Sequence, residues 1–174
     1  GVVGAATAFY AARAGRRPVV VEMRPAPCSL TTPASTGAFR LQFDNQQELE
    51  LVRESVELFL NFRELTQQAE HDLGIRQQGY LFCTTDPLRL KWQRELVARQ
   101  HDWGQEDIEL LSGDEARARF PYLGQNVLQA RFRPGDGFLD PKQLTMGLLA
   151  ASGATVVVDC RVTGFDLHDG RLAA

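Results

Sequence analysis

The sequence predicts an α/β fold that begins as a βαβ-type unit and is interrupted by an insertion of mixed helices and strands. Three observations support this prediction. Gly1 and Gly4 open a run of small apolar residues with good helix propensity that continues to residue 14. The β-branched residues 18–22 follow it, with the pattern of a buried parallel strand. Helical and strand patterns then alternate along the 174 residues without an internal repeat.

Apolar periodicity and the residues at their ends predict the helices. The predicted helices cover residues 2–14, 45–65, 86–100, 112–120 and 141–151. Gly15 stands where a helix-ending glycine belongs. Pro87 and Pro141 suit the first turn of a helix, and Glu115 lies at capping-box distance from Ser112.

Short runs of β-branched and aromatic residues predict the strands. The predicted strands cover residues 18–22, 79–84, 127–133, 154–159 and 162–167. Asp169-Gly170 predicts a hairpin turn between the last of these strands and Arg171-Leu172. The segment 25–37, rich in proline, serine and threonine, is predicted to be a loop.

Composition and charge exclude several classes of function. Apolar residues make up 44% and charged residues 24%, which does not indicate disorder. The net charge of −3 leaves no basic surplus for phosphate contacts, so no nucleic-acid partner is expected. The longest uncharged run, residues 1–12, is too short for a membrane span. Cys28, Cys83 and Cys160 form neither a metal motif nor an even disulfide set, so we expect no metal site and a reducing, cytoplasmic compartment.

The glycine turn and the acid at the end of the next strand predict a nucleotide site. Gly1 and Gly4 match the second and third glycines of a GxGxxG turn, in which the backbone from Gly1 through Val2 and Val3 approaches a pyrophosphate at a helix N-terminus. The third glycine allows the helix to pack closely on the sheet. Glu22 ends the next strand, where an acid hydrogen-bonds ribose hydroxyls and disfavours NADP. These features are compatible with either FAD or NAD as the bound nucleotide.

Three segments, in this order along the chain, resemble one family of flavoenzymes. They are VVGAATAFYAARAGRRPVVVE from residue 2, the Thr/Ser/Gly loop after it, and GDGFLDPKQL from residue 135. The family is the D-amino-acid oxidase superfamily, with the nearest likeness to its glycine oxidase, sarcosine oxidase and dimethylglycine dehydrogenase group. The likeness covers the whole chain, although a full family member is longer. It implies that the chain is the first half of such a protein, cut at both ends and inactive alone.

This resemblance implies a fold, a cofactor and a reaction. The fold is a Rossmann-like FAD-binding domain of the GR2 type with an inserted, incomplete α+β substrate domain. Residues 1–78 would form the FAD-binding part, residues 79–134 the start of the substrate domain, and residues 135–174 the return to the FAD-binding domain. The reaction is FAD-dependent oxidation of the C–N bond of a small amino acid or N-methyl amine, with hydride passed to the flavin.

The resemblance also assigns cofactor contacts. In the family, a hydroxyl residue and, five positions later, a glycine beside the flavin follow the ribose-binding acid. Thr32 and Gly37 stand at these positions, although the family usually has serine where Thr32 stands. Val162 matches a strand residue whose backbone meets the adenine. The full set of implied contacts is Gly1, Val2, Val3, Gly4, Glu22, Met23, Thr32, Ala34, Ser35, Thr36, Gly37 and Val162.

Arg40 is the candidate for the substrate side. In sarcosine-oxidase-like relatives, an arginine at this position lies near the flavin and pairs with the substrate carboxylate, a task suited to its planar fork. The alternatives are an ion pair of Arg40 with a neighbouring acid, such as Asp44 or Glu48, and a solvated side chain. Gln42 is a second candidate for the same pocket. Five aromatic residues form either pocket walls or core: Tyr80, Phe82, Tyr122, Phe132 and Phe138.

Two other functions stay open at this stage. An NAD-dependent Rossmann dehydrogenase would have further βαβ units directly after Glu22, and the loop and helix from residue 25 to 65 argue against it. A non-catalytic flavin-binding subunit or assembly factor would share the fold. For the enzyme itself, the electron acceptor is either oxygen or a carrier protein, and a partner subunit is a further option.

Overall fold

Helices and strands alternate along the chain in the computed structural model, which describes residues 1–168 and 171–172. The helices are α1 (Val2–Arg13), α2 (Gln46–Leu60), α3 (Phe62–Thr66), α4 (Arg89–Asp102), α5 (Gly113–Arg119) and α6 (Pro141–Ser152). The strands are β1 (Val19–Val21), β2 (Ala38–Phe39), β3 (Tyr80–Thr84), β4 (Glu109–Ser112), β5 (Gln129–Arg133), β6 (Gly137–Phe138), β7 (Thr155–Val157), β8 (Leu167–His168) and β9 (Arg171–Leu172). A 3-10 turn covers Thr32–Ala34. This order confirms the predicted mixed α/β class.

The chain divides into two compact units. Unit 1 contains Gly1–Ser35, Thr66–His71 and Pro141–Ala174, and unit 2 contains Thr36–Leu65 and Asp72–Asp140. Unit 2 therefore interrupts unit 1 in the sequence.

Unit 1 is built on two parallel strands with helices beside them. β1 pairs with β7 in the register Val19 to Thr155 through Val21 to Val157. Parallel strands need a long crossover, and α6 leads directly into β7. Helix α1 packs against α6. The buried apolar residues of the two helices include Ala5, Ala8, Phe9, Leu144 and Leu148.

The end of α1 is defined by Gly15. This residue has φ of 74°, a conformation that costs glycine little. The amide of Gly15 donates to Ala12 O at 2.9 Å, and the amide of Arg16 donates to Ala11 O at 3.0 Å. Together these bonds form a Schellman motif, so the predicted helix-ending glycine is confirmed.

Unit 2 contains a three-stranded antiparallel sheet in the order β3-β5-β4. Arg131 on β5 lies opposite Phe82 on β3 and Leu110 on β4. Ser112 caps α5 in the predicted capping box, in which Ser112 and Glu115 exchange hydrogen bonds. These bonds from Ser112 lower the pKa of the exposed Glu115 carboxyl. A second, two-stranded sheet joins β2 to β6.

The predicted helix over residues 45–65 is divided in two. It begins at Asn45, whose side chain accepts the amide of Glu48 at 2.8 Å, and breaks at Asn61. The Asn61 side chain donates to Glu57 O at 3.0 Å and so competes with the backbone ladder. The next predicted helix begins at Arg89 rather than at residue 86, because the Asp86 carboxylate first accepts the Leu88 amide in a turn.

The predicted strand over residues 162–167 is wrong for all but its last residue. Within the described part of the chain, residues 162–166 belong to no strand, and the pairing begins at Leu167. β-branched residues favour a strand only where a neighbouring strand supplies the ladder of hydrogen bonds. The predicted turn Asp169-Gly170 lies outside the described residues.

Four short elements were missed by the sequence patterns: β2, β4, β6 and the 3-10 turn. Each is two to four residues long, which is too short for a periodicity to be read. No helix in the described residues is long and apolar enough to cross a membrane.

Candidate functional site

A pocket in unit 1 brings together four of the predicted cofactor contacts. This unit 1 pocket has a volume of about 210 Å³. Its lining consists of Gly1, Glu22, Met23, Arg24 and residues 28–32. Gly1, Glu22, Met23 and Thr32 are therefore neighbours in space, although the sequence separates Gly1 from Thr32 by the whole first helix and strand.

Thr32 lies against the N-terminus of α1. Its Oγ1 accepts the backbone amide of Val2 at 3.2 Å. A Cβ added to Gly1 would lie 2.9 Å from the same Oγ1, so a larger residue at position 1 would displace the Thr32 hydroxyl. The loop hydroxyl and the glycine turn thus form one surface of the pocket.

Beyond the Val2 amide, which donates to Thr32 Oγ1, the first turn of α1 is free to accept negative charge. Gly1 caps the helix without a side-chain hydrogen bond, and no acidic residue lies in the first turn. The first-turn amides of a helix have no partner within the helix and form the positive end of its dipole. This end of α1 is chemically suited to a phosphate group.

Glu22 is held at the end of β1 by its neighbours. Its amide donates to Val157 O at 2.8 Å, and its carbonyl accepts the amide of Cys160 at 3.0 Å. Its Oε1 accepts the amide of Arg24 at 3.0 Å. The carboxylate therefore has a defined position at the pocket, as a ribose-binding acid requires.

Other predicted contacts do not line this pocket. Val3 is 78% exposed and Val162 is 53% exposed, and neither belongs to the lining, which also excludes Ala34 and Ser35. A Cβ added to Gly4 would meet nothing within 4 Å. The close helix–sheet packing expected of the third glycine is thus not made by the described residues.

Thr36 and Gly37 belong to unit 2, where they precede β2. Gly37 has φ of 67°, and its carbonyl accepts the amide of Leu139 at 3.0 Å. The backbone conformation at this position thus favours glycine. Thr36 lines a pocket of about 360 Å³ in unit 2, called the aromatic pocket. Its aromatic walls are Tyr80, Phe120, Tyr122, Phe132 and Phe138.

Asp136 holds the segment that follows Arg40. This buried carboxylate accepts the Leu41 amide at 2.9 Å, the Gln42 side-chain amide at 3.0 Å and Arg133 Nη1 at 2.8 Å. Gln42 also donates to Tyr80 O at 2.9 Å and is 1% exposed. Its side-chain amide thus bonds within the core, and the placement of Gln42 in the substrate pocket stays a prediction.

Arg40 lies among aromatic rings. Its guanidinium carbon is 5.1 Å from the ring centre of Phe43, 5.8 Å from that of Tyr80 and 5.7 Å from that of Phe82. Its Nε is buried without a hydrogen-bond partner.

The alternative interpretation of Arg40, an ion pair with a neighbouring acid, does not hold. Asp44 pairs instead with Arg131, at 3.4 Å, and among the described residues Arg40 forms no ion pair with Asp44 or Glu48.

Arg131 is a functional candidate that the sequence patterns missed. It lines a further pocket of unit 2, of about 410 Å³, called the Arg131 pocket. Asp44, Phe82, Asp86, Arg89, Trp92 and Gln93 also contribute to its lining. An arginine in the middle of a strand is the only sequence signal for this site, and it does not distinguish a buried side chain from an exposed one. In the part of the chain that the structure describes, no group of three or more His, Cys, Asp or Glu side chains could hold a metal ion.

The chain matches one protein family over its whole length. Residues 1–174 match the model of the family described as DAO, FAD dependent oxidoreductase. Human dimethylglycine dehydrogenase, a mitochondrial protein, is 28% identical over 153 residues, covering 87% of this chain and 17% of that protein.

Solved structures agree with the family match. L-proline dehydrogenase from P. horikoshii superposes with a TM-score of 0.86 and 26% identity, covering 99% of this chain and 45% of that one. Glycine oxidase from Bacillus cereus has a TM-score of 0.81 at 24% identity, with 99% and 47% covered, and supports the fold alone. The chain thus spans less than half the length of these relatives.

Proposed function

This chain belongs to the DAO family of FAD-dependent oxidoreductases, and we propose that it forms the FAD-binding part of an enzyme that oxidises the C–N bond of a small amino acid or N-methyl amine. The observation that supports this most is the unit 1 pocket, where Gly1, Glu22, Met23 and Thr32 meet. The names of two relatives, dimethylglycine dehydrogenase and L-proline dehydrogenase, denote amino acids with a substituted nitrogen.

The residues of unit 1 fit the adenosine diphosphate portion of FAD. The Thr32 hydroxyl, which can donate while its oxygen accepts the Val2 amide, and the backbone of the glycine turn would hold the pyrophosphate, at the positive end of α1. Glu22 would accept hydrogen bonds from the ribose hydroxyls, and Met23 supplies an apolar contact. Val3, Gly4, Ala34, Ser35 and Val162 remain proposed contacts that rest on the resemblance.

The proposed substrate side involves unit 2. Thr36 and Gly37 are proposed to meet the edge of the flavin, and Arg40 to offer its positive charge to the substrate carboxylate. FAD supplies the two-electron acceptor for this chemistry. The substrate would give a hydride from the carbon beside nitrogen to this acceptor and become an iminium ion, which loses a proton to form an imine where nitrogen carries one. Water then hydrolyses the C=N bond to an amine and a carbonyl compound.

Replacing Thr32 by valine should weaken FAD binding about threefold to tenfold, because it removes one neutral hydrogen-bonding group while keeping the side-chain volume. The measurement is a fluorescence titration of the full-length apoprotein with FAD. Thr155→Val, on the exposed strand β7, is the matched control and should bind like wild type. An unchanged dissociation constant for Thr32→Val would place this hydroxyl outside the cofactor site.

The segment after Glu22 argues against the NAD-dependent alternative. The chain continues from Glu22 into a loop, a 3-10 turn and the short strand β2, rather than into a second βαβ unit. A non-catalytic flavin-binding subunit would retain the same pocket, so activity must be tested directly. The cytoplasmic location, the electron acceptor and any partner subunit stay predictions.

The decisive experiment is the visible spectrum of the full-length protein that contains this chain. We expect flavin absorption bands that are bleached anaerobically by sarcosine, glycine, proline or dimethylglycine. A colourless protein that binds NAD instead would overturn the proposal. A bound flavin that no amine reduces would favour the non-catalytic alternative.

A further inference from the structure

Arg131 is a buried cation with unused hydrogen-bond donors. Its side chain is 6% exposed, yet neither Nε nor Nη1 has a hydrogen-bond partner. Its Nη2 lies 3.4 Å from Asp44 Oδ1, and the Asp44 side chain is 60% exposed. Buried charged donors without partners are costly and rare. The side chain is therefore suited to an acceptor supplied by a ligand.

The cavity beside Arg131 has the size and walls of a small-molecule site. Its volume of about 410 Å³ is within the usual range for ligand pockets. The Arg131 guanidinium carbon lies 4.5 Å from the ring centre of Phe82, a cation–π contact that holds the cation at this wall of the pocket. Trp92 adds a second aromatic wall.

A buried acceptor lies in the same pocket. Gln93 is 4% exposed, and its Nε2 donates to Phe82 O at 3.0 Å. This bond fixes the orientation of the Gln93 side-chain amide. The Oε1 of the same amide is buried without a hydrogen-bond partner. A ligand that complements both Gln93 and Arg131 must bring an acceptor for the guanidinium and an N–H donor for the amide. A carboxylate and an amine on one small molecule meet both needs.

Arg40 increases the positive charge at this position. Both guanidinium groups lie over the Phe82 ring, Arg40 at 5.7 Å and Arg131 at 4.5 Å from its centre. Burial lowers the pKa of Arg131, Asp44 opposes this shift, and the charge of Arg40 lowers it further. Arginine stays protonated in proteins. The charges of Arg131 and Arg89 are balanced by the carboxylates of Asp44 and Asp86 in the pocket lining, so the nearby charge of Arg40 leaves a positive excess that favours a bound anion.

We infer that Arg131 binds the carboxylate of the amino-acid substrate in the Arg131 pocket, beside Arg40, while Gln93 accepts a hydrogen bond from the substrate amine. The choice of an amino acid as the ligand rests on the proposed function. Arg131 is then a residue that determines specificity for acids over simple amines.

The test compares two ligands on the full-length, FAD-loaded protein. Sarcosine has the carboxylate, and dimethylamine lacks it. For Arg131→Gln we expect both the calorimetric dissociation constant and the KM of sarcosine to rise on the order of 10- to 100-fold, because the substitution removes a charged hydrogen bond. Dimethylamine binding should not change. Arg131→Lys should restore part of the affinity, and Arg94→Gln, an exposed arginine of α4, should behave as wild type.

Two outcomes of this comparison would overturn the inference. One is an Arg131→Gln protein that binds sarcosine as tightly as wild type. The other is an equal loss for sarcosine and dimethylamine, which would indicate a structural role.

If Arg131→Gln does not fold, the Asp44→Asn variant tests the same carboxylate site. Removing the competing carboxylate should tighten sarcosine binding, and unchanged or weaker binding would overturn the inference.

The failure of the proposed function would look different. In that case no amine would bleach the flavin of the wild-type protein. Acetate then serves as the probe of the pocket alone. Acetate binding that Arg131→Gln abolishes would still support the carboxylate site, and acetate binding that it leaves intact would overturn it.

Discussion

Replacing Asp136 by alanine is expected to lower the free energy of unfolding by about 3–5 kcal/mol, as does the loss of one partner from a buried ion pair. Asp136 is fully buried, and the Arg133 side chain that it neutralises is 14% exposed. The substitution would also leave the Leu41 amide without its acceptor and remove one of the two acceptors of the Gln42 side-chain amide. Chemical denaturation of the full-length protein, followed by circular dichroism, measures the change.

The matched control for this prediction is Asp107→Asn. Asp107 pairs with the same arginine at 2.9 Å, but its side chain is 44% exposed. Exposed ion pairs contribute at most about 1 kcal/mol, so Asp107→Asn should be nearly as stable as wild type. Equal losses for the two variants would mean that burial of Asp136 does not determine its contribution.

Replacing Glu22 by glutamine is expected to raise the dissociation constant of FAD by about 10- to 100-fold, because a charged acceptor is lost from the proposed ribose contacts. The glutamine carbonyl can still accept the Arg24 amide that Glu22 Oε1 accepts at 3.0 Å. The loop after β1 should therefore keep its conformation. A titration of the full-length apoprotein with FAD measures the affinity.

Glu70→Gln is the matched control for the Glu22 variant. Glu70 is an exposed residue of unit 1 that does not line the unit 1 pocket, and its loss of charge should leave FAD affinity unchanged. If Glu22→Gln binds FAD like this control, Glu22 is not the ribose-binding acid.

The sequence predicted the parts of the fold whose causes are local. Gly15 ends α1 because its backbone adopts a positive φ that glycine tolerates. Ser112 and Glu115 form a capping box within four residues. Glu22 follows β1 at the spacing expected of an acid at a strand end. In each case the interacting groups are close in sequence, so the pattern and the structure report the same hydrogen bonds.

The sequence did not predict the contacts that join distant segments. Asp136 accepts the Leu41 amide across 95 residues, and nothing in the GDGFLDP segment indicates that partner. The strand predicted over residues 162–167 was wrong for the same reason. Its residue types favour a strand, but in the described chain no neighbouring strand pairs with residues 162–166. The apolar periodicity predicted one helix through residue 65, whereas the structure ends that helix before Asn61.

By itself, the sequence determined the class of the fold, the glycine turn at Gly1, the acid at Glu22 and the resemblance to FAD-dependent oxidoreductases. These features depend on backbone conformation, capping and spacing within short segments. Only the tertiary structure placed Thr32 beside Gly1, committed Gln42 to the core and left Arg131 buried with unused donors. The physical reason is that burial and hydrogen-bond satisfaction depend on which distant segments pack together, and residue type alone does not specify that.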